Sequence, residues 1–104
     1  MSSSTKVGVW VTLTLKPGTR DEAAATINEA IEAAKGESGT LVYVLNADVA
    51  NPDLLHFYEV YENQDAMNAH MGSEWFAAFS PKLVPFLAGA PAFQMLAPLG
   101  GKGI

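Results

Sequence analysis

The 104-residue chain contains no cysteine, and only six of its residues are lysine or arginine. The lack of cysteine excludes disulfide bonds, thiolate nucleophiles and sulfur-ligated metals. With a net charge of −5, the chain has no basic stripe to neutralise phosphates, which argues against nucleic-acid binding. No apolar run approaches the ~20 residues of a membrane span, and the opening MSSSTK lacks the apolar core of a signal peptide. These absences predict a cytoplasmic protein that does not enter a membrane.

Charged residues make up only 16% of the chain, whereas apolar residues make up 49%. The length fits a single domain, which we place over residues 1–104 with flexible tails at 1–5 and 100–104. A domain this small buries a modest core and gains from burial against a second copy. The composition therefore predicts more apolar surface than one subunit covers by itself.

Turn and alternation signals divide the chain into six elements in the order βαββαβ. Strands are predicted in KVGVWVTLTLKPG, GTLVYVLNAD, DLLHFYEVYE and PAFQMLAPL, which are rich in β-branched, aromatic and other apolar residues and bounded by turn residues. This order is the ferredoxin-like split pattern, an α+β fold in which two main helices cover one face of a four-stranded antiparallel sheet.

Both predicted helices carry capping signals. The first, TRDEAAATINEAIEAAKG, opens with Thr19 and Glu22 in a capping-box pattern. The second begins at a cap on Asn63, breaks at Gly72 and resumes after a cap on Ser73, running from residue 74 to about residue 80. The apolar face of the first helix comprises Ala23, Ile27, Ala30, Ile31 and Ala34.

The predicted strands carry large apolar side chains on both faces of the sheet. In the first strand Val9 and Val11 share one face, and Trp10 lies on the other. Two helices cover only one face, so the other needs a different cover. A two-fold homodimer, sheet face against sheet face with Trp10 in the interface, is the expected solution. The alternation does not decide which face the helices take.

Three stretches carry a resemblance to a known family: KPG, ESGTLVYVL and FYEVYENQDAMNAHMGSEWFAAF. Together they resemble the antibiotic biosynthesis monooxygenase family over nearly the whole chain, from about Val7 to Leu99. The most specific matches are Glu59, Tyr61, Asp65, Ala66 and His70. The resemblance implies a homodimer that forms a dimeric α+β barrel, with a pocket between each sheet and its helices. It also implies oxidation of a quinol or an aromatic polyketide-like substrate by O2 without a cofactor, because the substrate itself reduces the oxygen.

Other branches of that family suggest alternative functions. The haem-cleaving branch uses an Asn, a Trp and a ligating His where this chain has Val11, His70 and Ser80, so haem degradation is not expected. An isomerase would need cations for a phosphate, and Arg20, Lys82 and Lys102 are the few candidates. A non-catalytic, small-molecule-binding or stress-associated dimeric barrel is the main alternative to the monooxygenase.

His70 is the predicted catalytic residue, a general base or acid near a phenolic substrate. The alternative role is a buried structural histidine, and in either role Glu59 is a possible partner that fixes its tautomer. Aromatic side chains at helical spacing equally suit a core, and the two tyrosines equally suit the dimer interface. The candidate substrate contacts are Tyr43, Tyr58, Glu59, Met67, Trp75, Phe79 and Phe86. No metal or organic cofactor is expected.

Overall fold

The structure is a computed structural model that describes residues 5–104. Its elements are β1 (Val7–Thr14), α1 (Arg20–Ala34), β2 (Thr40–Ala47), β3 (Leu54–Tyr61), α2 (Gln64–Met71), α3 (Glu74–Leu83), a 3-10 turn (Val84–Phe86) and β4 (Ala92–Leu96). This order confirms the predicted α+β, ferredoxin-like fold. Most of the N-terminal tail predicted at 1–5 lies outside the described residues.

The four strands form one antiparallel sheet in the order β2-β3-β1-β4. The register places Val9 opposite Glu59, and Glu59 opposite Tyr43 on the other side of β3. The sheet is open, with β2 and β4 at its edges. A closed barrel therefore requires a second copy of the chain, and the dimeric barrel remains a prediction.

The helices cover the sheet face that carries Val9 and Val11. These two side chains are at most 5% exposed, and they share a core cluster with Ile27 of α1 and Phe79 of α3. Trp10 points to the opposite face and is 37% exposed. Packing of the helices thus settles the question that the alternation left open, and it leaves the Trp10 face without a cover within this chain.

The capping box predicted for α1 is wrong. Thr19 does precede the helix, but its side chain makes no cap hydrogen bond. Its hydroxyl instead donates to the Lys16 carbonyl oxygen at 2.7 Å, within the turn that contains Gly18 at φ 77°. The Thr19 hydroxyl is therefore engaged in the turn and does not cap the helix. The apolar face was predicted correctly, since four of its five residues are buried: Ala23, Ile27, Ala30 and Ala34.

The two caps predicted for the second helical stretch are confirmed. Asn63 Oδ1 accepts from the Ala66 N–H at 2.8 Å, and Ser73 Oγ accepts from the Phe76 N–H at 3.3 Å. Gly72 lies between α2 and α3, as the sequence indicated. However, α3 continues through Pro81 to Leu83, beyond the predicted end near residue 80. No helix within residues 5–104 is long and apolar enough to cross a lipid bilayer.

Candidate active site

A cavity of about 290 Å³ lies between the helix-covered face of the sheet and the layer formed by α2, α3 and the 3-10 turn. Apolar side chains supply most of its wall, including Val9, Val11, Phe57, Phe76, Phe79 and Leu83. Its polar lining residues are Tyr43, Glu59, His70 and Ser80. An apolar pocket with a few polar groups is the usual form of a site for a small organic ligand.

The two ends of the cavity differ in chemistry because they lie under different strands. Tyr43 on β2 and Glu59 on β3 face each other across the ladder, whereas Phe93 lies on β4, opposite Val11. Neighbouring strands are ~4.8 Å apart, so β3 and β4 are separated by about 10 Å. The cavity therefore has a polar end below β2 and β3 and an apolar end at the β4 edge.

His70 stands at the polar end, in the last turn of α2. Its side chain is 2% exposed, and its Nδ1 lies 2.7 Å from Glu37 Oε1. Its ring centroid is 5.1 Å from those of Tyr43 and Trp75 and 5.4 Å from that of Phe76. His70 also lines a second, polar hollow that contains Glu37. The imidazole is thus the group that separates the apolar cavity from the carboxylate.

Glu37, in the loop between α1 and β2, gathers three side-chain donors. Besides His70, Thr40 Oγ1 donates to its Oε1 at 2.8 Å and Trp75 Nε1 donates to its Oε2 at 2.9 Å. Partial burial acts to raise the pKa of Glu37, but the hydrogen bonds from His70, Trp75 and Thr40 outweigh it and hold the pKa below its ordinary value.

An ionised carboxylate only accepts hydrogen bonds, so the proton between Glu37 and His70 belongs to Nδ1 of the ring. The neutral imidazole then carries its basic lone pair on Nε2. Within the part of the chain that the structure describes, no protein group is hydrogen-bonded to Nε2. A lone pair that is free of protein hydrogen bonds is what a general base needs in order to accept a proton.

Gly39 allows the loop with Glu37 to approach α2 closely. A Cβ built on Gly39 would lie 2.6 Å from the Ala66 Cβ, a distance that real Cβ atoms do not reach. The Gly39 carbonyl oxygen also accepts from the Glu62 N–H at 2.9 Å, at the end of β3. A glycine at this position therefore permits the close packing of this loop on α2, the helix that carries His70.

Glu59 is a separate polar group in the cavity wall, and the structure does not confirm it as the partner of His70. It is 8% exposed, and its Oε1 accepts from the Tyr61 hydroxyl at 2.5 Å. Both side chains project from the same face of β3, which explains why they meet. Burial raises the pKa of Glu59 above its ordinary value, although the Tyr61 hydrogen bond acts in the opposite direction. Burial likewise raises the pKa of Tyr43.

Five of the eight predicted site residues come together in the cavity wall: Tyr43, Glu59, Met67, His70 and Phe79. The other three do not line it. Tyr58 is on the opposite face of the sheet, with its ring centroid 6.1 Å from that of Trp10. Trp75 contacts Glu37 and the His70 ring, and Phe86 of the 3-10 turn packs against the core. Alternation left the sheet faces unassigned, so it could not separate Tyr58 from Tyr43.

Glu37 is the residue that the sequence analysis missed. It is the first residue of ESGTLVYVL, one of the three stretches that carry the family resemblance. Its place in that stretch was the signal in the sequence that could have identified Glu37. No local periodicity relates Glu37 to His70, which lies 33 residues later. Within residues 5–104, no group of three or more His, Cys, Asp or Glu side chains is placed to hold a metal ion.

Comparison with known proteins resolves the family. The family model described as antibiotic biosynthesis monooxygenase matches residues 7–82. The chain belongs to the antibiotic biosynthesis monooxygenase family. The match includes Glu37, Glu59 and His70, but ends before the 3-10 turn and β4. A search of curated proteins finds no significant match.

Solved structures of the antibiotic biosynthesis monooxygenase fold agree with this assignment. One is a Caulobacter crescentus protein described as a candidate antibiotic biosynthesis monooxygenase. It is 28% identical to this chain, with a TM-score of 0.85 over 93% of this chain and 92% of its own. A Chloroflexus aurantiacus protein with the same description is 25% identical. Its TM-score is 0.82 over 95% of this chain and 98% of its own. A third, from Nitrosomonas europaea, has a TM-score of 0.88 over 95% of both chains at 13% identity, which supports the fold alone.

Proposed function

We propose that this chain is a monooxygenase that oxidises a small quinol with O2 and uses no metal or organic cofactor. The observation that carries the proposal is the Glu37–His70 hydrogen bond at the polar end of an apolar cavity. Membership of the antibiotic biosynthesis monooxygenase family supports a monooxygenase-like activity, and the cavity chemistry supports the choice of substrate.

The proposed role of His70 is to accept a phenolic proton at Nε2 while Glu37 holds the resulting imidazolium. The phenolate formed in a site shielded from water then transfers electrons to O2. One oxygen atom enters the ring and the other leaves as water, so a quinol and O2 give a hydroxyquinone and water. The substrate supplies all the electrons, and the protein supplies binding, desolvation and proton transfer.

The size of the cavity favours one or two fused rings over an extended polyketide. Its volume of about 290 Å³ lies just below the range of ~300–1,000 Å³ usual for ligand pockets. Phe79 and Met67 provide apolar contacts for the ring faces. Tyr43 and Glu59 provide polar groups that can hydrogen-bond to a ring oxygen.

We also propose that a second copy of the chain covers the Trp10 face. On that face Trp10 is 37% exposed, Val44 47% and Leu96 37%. Large apolar side chains left this exposed in a small domain mark an interface. Two sheets that pack through this face would form the dimeric α+β barrel.

Oxygen consumption by metal-free protein tests the function directly. A panel of methyl-substituted hydroquinones and naphthohydroquinones is offered, and ¹⁸O2 is used to follow the oxygen atoms by mass spectrometry. One ¹⁸O atom in the quinone product and one in water supports the proposal. Tight binding of the oxidised quinones without turnover would instead support the non-catalytic alternative.

The isomerase alternative finds no support in the cavity. None of its candidate cations, Arg20, Lys82 and Lys102, is among the residues that line it. Lys82 is instead paired with Glu29 of α1 at 2.8 Å. A phosphorylated substrate would therefore enter an apolar cavity without a cation, which is costly for a dianion.

A further inference from the structure

The apolar end of the cavity opens to solvent between the 3-10 turn and β4. Val84 is 61% exposed and Phe93 is 56% exposed, and both side chains also line the cavity. Two residues further along β4, Met95 has the same orientation as Phe93 and is 52% exposed. We call Val84, Phe93 and Met95 the apolar mouth.

The apolar mouth lies on the opposite face of the sheet from the proposed dimer interface. Phe93 pairs with Val11 and Met95 pairs with Val9, so both project from the helix-covered face of the sheet. The second copy is proposed to pack on the opposite face, through Trp10. Val84 and Phe93 of the apolar mouth also line the cavity, which places the mouth on the path of a ligand.

We propose that the substrate carries an apolar chain on its aromatic ring, and that this chain leaves the cavity through the apolar mouth and lies over Phe93 and Met95. The inference rests on the proposed function and specifies its substrate class: a quinol with an alkyl or prenyl substituent. In this proposal the ring is held at the polar end, below β2 and β3. Because β3 and β4 are about 10 Å apart, a substituent that extends toward β4 reaches the opening.

The chemistry of the lining selects a hydrocarbon chain over a polar one. The ionisable residues of the cavity wall are Tyr43, Glu59 and His70, and all three lie at the polar end. Lys82, a cation two residues before the 3-10 turn, is paired with Glu29. A charged or sugar-like substituent would therefore lose its hydration at the mouth without a compensating partner.

The apolar mouth also lies outside the part of the chain that the family model matches. That match ends at residue 82, whereas Val84, Phe93 and Met95 follow it. The proposed proton-transfer group and the proposed substituent site therefore lie in different parts of the sequence.

Equilibrium binding of oxidised quinones tests this inference independently of turnover. The ligands share a trimethyl-1,4-benzoquinone ring and differ in the fourth substituent, which is methyl, pentyl or 5-carboxypentyl. Because burial of each CH2 group is favourable and the chain stays partly exposed at the mouth, the pentyl compound is expected to bind at least about tenfold more tightly than the methyl compound. The carboxypentyl compound should lose most of this gain.

A variant in the apolar mouth shows where the chain lies. Phe93→Ser should reduce the pentyl-to-methyl affinity ratio at least about threefold, because the chain then covers a polar side chain. Val49→Ser, at the fully exposed tip of the β2–β3 connection, removes an apolar surface residue elsewhere and should leave the ratio unchanged.

The outcomes separate this inference from the proposed function. Equal affinity for methyl and pentyl compounds, or no binding of either, would overturn the chain site. A pentyl preference that Phe93→Ser leaves intact would overturn it as well. A pentyl preference that depends on Phe93, found in protein that consumes no oxygen, would support the chain site and contradict the monooxygenase.

Discussion

Glu37 and His70 are joined by a hydrogen bond of 2.7 Å although 33 residues separate them in the sequence. The carboxylate lies in the loop before β2, and the imidazole lies in the last turn of α2. Their contact gives the imidazole a defined tautomer at the wall of an apolar cavity.

Glu37→Gln should destabilise the protein near neutral pH and have less effect in acid. The folded pKa of Glu37 is lowered from an ordinary value of 4.5, so its ionised form contributes stability above that value and loses it as the pH falls below. The difference in unfolding free energy between the wild type and the variant should therefore shrink between about pH 6 and about pH 3.

Chemical denaturation across this pH range measures that difference. Glu32→Gln is the matched control, since Glu32 is an exposed carboxylate paired with Lys35 at 2.6 Å. If the two variants show the same pH dependence, the hydrogen bonds to Glu37 do not stabilise the fold.

Glu59→Gln should show the opposite dependence on pH. The folded pKa of Glu59 is raised above 4.5, so its protonated form contributes stability below that value and loses it as the pH rises through the folded pKa. The glutamine keeps an acceptor for the Tyr61 hydroxyl and carries no charge. The variant should therefore gain stability relative to the wild type as the pH rises above about 4.5. A constant difference in the same denaturation experiment would refute this prediction.

Gly39→Ala should destabilise the fold by about 1–3 kcal/mol, the usual range for overpacking. The new Cβ would lie 2.6 Å from that of Ala66, so the loop with Glu37 must move away from α2. The double variant Gly39→Ala/Ala66→Gly removes the clash. A double-mutant cycle should therefore give a favourable coupling energy, and additive effects would show that the approach of the loop to α2 is not limiting.

The sequence predicted the fold well because its signals are local. Asn63 and Ser73 cap helices through contacts three residues away, and Gly72 separates those helices. The cap predicted at Thr19 was wrong because its hydroxyl has two possible local partners, the helix N-terminus and the preceding turn. The hydroxyl bonds to the turn. Alternation likewise assigned Trp10 and Val11 to different faces without showing which one the helices cover.

The site depended on tertiary contacts that a single sequence does not display. His70 was recognised as a candidate, but its partner Glu37 comes from a distant loop. Tyr43 and Tyr58 were equivalent in the sequence, and the packing of the helices separated them. The apolar mouth was not predicted, because β4 reads as an ordinary apolar strand and the end of the helical cover is a tertiary feature.

Val44→Asp should convert the proposed dimer into single chains. Val44 is 47% exposed on the Trp10 face, and a charge buried there without a partner is expected to break the interface. Light scattering should give the mass of two chains for the wild type and of one for the variant. Val49→Asp places the same charge at an exposed turn and should keep the dimer. A wild-type protein with the mass of one chain would remove the proposed barrel.

The central claim is that His70 accepts the proton of a phenolic substrate in the cavity. It is tested most directly by the turnover number for O2-dependent oxidation of a methyl-substituted hydroquinone. His70→Ala should lower it ~10²-fold, the scale of general base catalysis. His56→Ala, which removes the histidine hydrogen-bonded to Asp48 on the opposite face of the sheet, should leave it unchanged. Equal turnover by the wild type and His70→Ala would contradict the account.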